Sequence, residues 1–151
     1  MANTQAMCTS FKGELFTGTH NFGVGVIRAA TTADSFKAAL YLASATVNAS
    51  TTAYSATNEV TGTNYTAGGV AVTNATAPTT SGTTAYWTPS ASITYTNVTL
   101  STAFDCVLIY NSTQSNKAVS VHTFGSQTVT AGTFSLTMPT NGAGTALLNI
   151  A

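Results

Sequence analysis

The sequence predicts a mainly β protein: an antiparallel β-sandwich or jelly roll with one short helix near its start. Roughly eight runs of strand length are either apolar throughout or alternate apolar with polar residues. Gly, Asn, Ser and Pro punctuate these runs, as turn residues do. Threonine fills many of the polar positions, where its branched side chain suits a pleated sheet and its hydroxyl tolerates water.

In chain order, "TQAMCTSFKGELF" (residues 4–16) brings Met7, Phe11, Leu15 and Phe16 to one side at helical spacing, with Gly18 as the stop. This predicts a short helix that contains Cys8. Residues 20–34 read as extended or loop. "FKAALYLA" (36–43) mixes helix-favouring Ala and Leu with alternation through Phe36, Ala38, Leu40 and Leu42. The β pattern downstream decides for a strand with one buried face. "STTAYSATNEV" (50–60) leaves room for a helical turn.

Beyond that point every element is β. "GVAVTN" is a short strand after Gly69. "AYW" and "SITYTNV" are two strands separated at Pro89. "FDCVLIYN" (104–111) is a near-continuous apolar run, predicted to be buried on both faces. "KAVSVHTFG" sets Val119 and Val121 against Ala118, Ser120 and His122, which predicts an exposed or interface histidine at 122. "SQTVTAGTFSLTMP" (126–139) reads as two strands around a turn at Ala131 and Gly132. Asn141 and Gly142 mark a turn into "TALLNIA".

The 151 residues suit a single domain over 1–151, with 1–17 as N-terminal helix or arm and 18–151 as the sandwich. Only 5% of residues are charged, against about 25% in an ordinary soluble domain, and the net charge is zero. Lys12, Arg28, Lys37 and Lys117 are scattered, so the chain lacks the basic cluster that grips a nucleic acid. A neutral surface also lacks the self-repulsion that keeps molecules apart, and suits a protein docked against neighbours. The opening stretch has no apolar core of signal-peptide length, and no run approaches a membrane span, so neither export by that route nor a membrane partner is expected. Cys8 and Cys106 have no zinc-ligand spacing and are expected to be free thiols, with Cys106 as a small buried hydrophobe.

The stretch "NEVTGTNYTAGGVAV" raises the question of a phosphate cradle. It has paired glycines, Gly68 and Gly69, but leads into a strand and contains no Lys or Arg. A turn that needs positive φ or close backbone approach accounts for it better. Glu59 beside it is expected to accept backbone hydrogen bonds or to pair with a cation of a neighbour. Catalytic and metal residues are expected to be absent. The acids Glu14, Asp34, Glu59 and Asp105 are dispersed, and no nucleophile elbow occurs. Only a fold that joined Asp105, His122 and a serine would revive a hydrolase. Trp87 and Tyr86, with Tyr65, Tyr95 and Tyr110, supply either a sugar-stacking platform or, better, core and interface anchors.

The order of blocks resembles a known group. "SFKGELFTG", "FKAALYLASA", "NEVTGTNYTAGGVAV", "AYWTPSASIT", "AFDCVLIYN", "HTFGSQTVTAGTFSLTMP" and "ALLNIA" follow one another in a manner similar to virion structural proteins of tailed bacteriophages, of the capsid decoration (cement) type. The block at 59–69 is the most specific. The resemblance implies a β-sandwich with no catalytic residue and no cofactor. Such a protein sits on the outer face of the assembled head and stabilises contacts between major capsid protein subunits.

On this reading the partners are the major capsid protein and further copies of the chain, with a trimer favoured over a dimer. Nucleic acid and membrane are not partners. The interface candidates are Phe11, Leu15, Glu59, Tyr65 and Trp87. Residues 1–16 are either a docking arm or, in preference, a segment packed on its own sandwich. Two alternatives stay open: a tail or head–tail junction protein, and a carbohydrate-binding module.

Overall fold

The computed structural model describes residues 3–8, 10, 11, 15, 18–20, 22, 33–73, 77–82 and 84–150. Among these, β1 (Ala6–Met7), β2 (Phe36–Leu42), β3 (Val70–Val72), β4 (Thr79–Ser81), β5 (Thr84–Trp87), β6 (Ile93–Asn111), β7 (Lys117–Leu136) and β8 (Leu148–Ile150) form two antiparallel sheets. The larger has the order β1-β7-β6-β2-β3 and the smaller β4-β5-β8.

The apolar run at 104–111 lies in the C-terminal half of β6, and Cys106 through Tyr110 are buried on both faces, as expected. Strand β2 pairs with it from Phe36↔Asn111 to Leu42↔Phe104. Residues 38–41 of β2 are likewise buried on both faces rather than one, since core residues pack on both sides of this strand. The sheets meet through aromatics: Trp87 of β5 stands 6.1 Å from Phe36 of β2 and 4.9 Å from Phe22, ring centre to ring centre.

Four local expectations are corrected. The helix expected over residues 4–16 is replaced by strand at its start, and among the described residues of this stretch only Ser10, Phe11 and Leu15 are helical. Ala6 and Met7 instead pair with Val121 and Ser120, and the Cys8 amide donates to Val119 O at 3.2 Å. The edge of β7 offers residues 6–8 backbone partners that the first turn of a short helix does not. Residues 12–14, 16 and 17 lie outside the described residues, as does most of the loop expected at 20–34.

The helical turn expected at 50–60 is absent. Ala53 bridges Lys117 and Glu59 bridges Tyr41, so the segment runs along the large sheet. "SITYTNV" and "FDCVLIYN" belong to one strand of 19 residues, not two. Ala131 and Gly132 are no turn either. They lie inside β7, where Ala131 has φ 45 and the register against β6 shifts. An αL residue inside a paired strand is a bulge, which bends a ribbon without ending it.

The bulges fold the β6–β7 ribbon over. An extended strand would carry Phe124 and Phe134 about 33 Å apart, yet their rings lie 5.2 Å apart and both touch Phe104, at 5.9 and 5.1 Å. Residues 101, 102 and 125–128 are exposed at the outside of the bend. The concave side encloses Tyr95, Phe104 and Ile93, all at most 2% exposed.

Candidate functional site

The best-organised polar cluster centres on Glu59, which is 5% exposed. Its Oε1 accepts the Tyr65 hydroxyl at 2.7 Å and the Gly68 amide at 2.8 Å, and its Oε2 accepts the Tyr54 hydroxyl at 2.7 Å. Of the two alternatives for this acid, backbone hydrogen bonding within the chain is the one observed.

The glycines make the approach feasible. Gly68 and Gly69 have φ 89 and 69, and a Cβ on Gly69 would sit 1.7 Å from Ala38 O. Both reasons for glycine, positive φ and close backbone approach, therefore hold at this turn. The carboxylate already occupies the position an anion would take at the Gly68 amide, so the loop cannot cradle a phosphate.

The cluster closes the outer edge of β2. Strand β3 pairs with residues 36–38, and the polypeptide then leaves the sheet. Beyond that point Ala38 O accepts the Tyr95 hydroxyl at 2.8 Å, and the Leu40 amide donates to the Tyr65 hydroxyl oxygen at 3.0 Å. Val60 N then donates to Leu40 O, and Leu42 N to Asn58 O, both at 3.0 Å. Two phenols thus replace ladder partners where no strand passes, satisfying backbone groups that burial would otherwise leave costly. Tyr110 donates to Gly68 O at 2.8 Å and stacks on Tyr54 at 4.7 Å. Tyr65 stacks on Tyr95 at 5.9 Å.

Burial first, and the hydrogen bond to Glu59 second, push the Tyr54 and Tyr65 phenols well above the usual tyrosine value. Burial followed by the Glu59 charge does the same to Tyr95 and Tyr110. Tyr41, whose hydroxyl donates to Ser55 O, is raised to about 12, chiefly by burial. These phenols stay protonated and act as donors. The arrangement holds a loop in place and offers no acid or base to a substrate.

Phe11, Leu15 and Trp87 gather elsewhere, lining an apolar recess of about 160 Å³ with Tyr86, Leu148 and Ile150. Phe11 and Trp87 are 1% and 2% exposed and are covered by their own chain, so Trp87 presents no ring face to a sugar or a partner. Tyr95 and Tyr110 are equally buried, and no stacking platform forms from these rings. Glu59 and Tyr65 line no part of this recess.

The hydrolytic constellation does not assemble. Asp105 accepts a hydrogen bond from the Asn3 amide, while His122 Nε2 lies 2.9 Å from Ser120 Oγ. Ser120 is 1% exposed, beyond the reach of a substrate. His122 is half-buried rather than exposed, because it lines an apolar recess with Val107, Ile109 and Phe124. That desolvation lowers its imidazole to about 4.

A buried polar group also joins Asn111 Nδ2 to Asp34 Oδ2 at 2.8 Å and to His20 Nδ1 at 3.0 Å. Among the described residues no group of His, Cys, Asp or Glu side chains is placed to hold a metal ion, and no helix is long and apolar enough to cross a membrane. Cys8 and Cys106 form no disulfide and are fully buried.

The sequence singled out Glu59 and Tyr65 but missed Tyr54 and Tyr41 as members of one network. The available signal was a lone acid, five residues after a tyrosine, in a chain with very few charges. Comparison with protein-family models, with curated proteins and with solved structures finds no match to this chain.

Proposed function

We propose that the chain is a non-enzymatic capsid decoration (cement) protein of a tailed bacteriophage. It binds the outer face of the assembled head as a homo-oligomer and stabilises contacts between major capsid protein subunits. The two sheets are the layers of a β-sandwich on this reading, which the Trp87–Phe36 contact between them supports.

The carrying observation is the character of the surface. Among the described residues no charged side chain is fully exposed: Asp34 and Glu59 are buried, and Lys37, Asp105 and Lys117 are half-buried. What faces outward is mainly Thr, Ser, Asn, Gly and Ala on a β frame. Such a surface makes hydrogen bonds and close contacts, and does little by long-range attraction. Packaged DNA pushes a shell outward, and a neutral clamp across subunit junctions raises the cost of separating them. Linking several copies multiplies modest contacts through high effective concentration.

Co-sedimentation of the purified protein with undecorated heads across a sodium chloride series tests this. Binding that persists from low to high salt is expected. Failure to bind, or steep release as salt rises, would contradict it.

A further inference from the structure

The aromatic ladder that starts at the Glu59 cluster ends at an open edge. Tyr65, Tyr95 and Phe134 stand side by side, with ring centres 5.9 and 6.1 Å apart. Phe134 lies on β7, whose inner neighbour is β6. On its outer side β1 meets only Ser120 and Val121, so among the described residues no strand flanks 122–136. Gln127 turns its own side-chain amide onto Gly125 O at 3.0 Å within this stretch.

Free edges in soluble proteins are commonly guarded by charge or proline. Residues 118–138 contain no Asp, Glu, Lys, Arg or Pro. Among the described residues the guard seen on this edge is the bulge at Ala131, and residues 132–136 lie beyond it. Phe134 and Leu136 are half-buried there, alternating with exposed Thr133 and Ser135.

We infer that residues 132–136 are the pairing strand for a second copy of this chain, joined edge to edge and antiparallel about a twofold axis at Phe134. The stretch is self-complementary in that register. Phe134 meets its equivalent and continues the ladder across the junction, while Thr133 of each copy faces Ser135 of the other. Aromatic pairs and hydroxyl pairs both stabilise antiparallel strands. The chain already uses the hydroxyl pairing internally, with Thr94 and Ser135 oxygens 3.0 Å apart. With zero net charge and no ionised group on the strand, two copies approach without repulsion.

A twofold axis closes as a dimer, in place of the trimer favoured by the sequence. The inference gives a surface to the self-association in the functional reading and rests on that part of it alone.

The test uses purified protein without any shell, so its failure is distinct from failure to bind heads. Light scattering after size exclusion is expected to give twice the chain mass for the parent. T133K/S135K sets lysine against lysine and is expected to weaken the dimer about tenfold or more. T133K/S135E sets lysine against glutamate in this register and is expected to restore it. Both sites are exposed, and circular dichroism confirms that each variant folds. A monomeric parent at every concentration, or equal association of the two double variants, would overturn the inference.

Discussion

The carboxylate of Glu59 accepts the backbone amide of Gly68 at 2.8 Å, nine residues further along the chain. That bond, with the hydroxyls of Tyr54 and Tyr65, fastens the loop carrying Gly68 and Gly69 against the edge of β2. Replacing Glu59 by Gln puts an amide donor among three donors and leaves at least one unsatisfied. The E59Q protein is expected to lose about 2–3 kcal/mol of stability. Urea unfolding measures this, and an unchanged midpoint would mean that the network holds nothing.

Gly69 and Gly82 separate backbone strain from collision. Both have positive φ, 69 and 57, but a Cβ on Gly69 meets Ala38 O at 1.7 Å whereas one on Gly82 meets nothing within 4 Å. Gly82→Ala is expected to cost about 1 kcal/mol, the price of the left-handed conformation. Gly69→Ala is expected to cost at least about 3 kcal/mol, because backbone must move. Similar losses at the two sites would show the close approach to Ala38 to be wrong.

Stability is expected to fall in mild acid. His122 is lowered from 6.5 to about 4 by burial, so between those values the unfolded chain binds a proton that the folded chain refuses. The contribution is full above pH 6.5 and is lost as pH falls through 4, at most about 3 kcal/mol. At the alkaline end Tyr41, raised from 10 to about 12, favours folding below pH 10 and loses that effect as pH rises through 12. Thermal melts across both windows, repeated on His122→Gln, check the acid limb: the variant should be flatter between pH 6.5 and 4.

Neither thiol should react in the folded state. Cys8 and Cys106 are both 0% exposed, and burial raises the Cys106 thiol to about 12, far from the reactive thiolate. A thiol-reactive dye at pH 8 is expected to label both cysteines in denaturant and neither without it. Fast labelling of the native protein would contradict the burial.

Elements set by local alternation were legible in the sequence. Strands β2, β3 and β5 and the buried run at 104–111 lie where side-chain period and turn residues put them, since those signals are local. The β6–β7 fold-over was not legible. The bulges at Ala131 and around Leu100 go with the convergence of Phe104, Phe124 and Phe134, a contact between residues far apart in the chain. The start of the expected helix at 4–16 gave way for the same reason: its competitor was the edge of β7, more than a hundred residues away. At the candidate site, Gly68 and Gly69 announced a special backbone and Glu59 stood out by rarity. Tyr54 and Tyr65 lie within six residues of it, but Tyr95 and Tyr110 come from the distant β6, and no spacing rule gathers those.

Electron microscopy of phage particles bearing labelled protein tests the central claim most directly. Label distributed over the whole head, on its outer face, is the predicted result. Label confined to the tail or to a single vertex, or protein found only free of the particle, would contradict it.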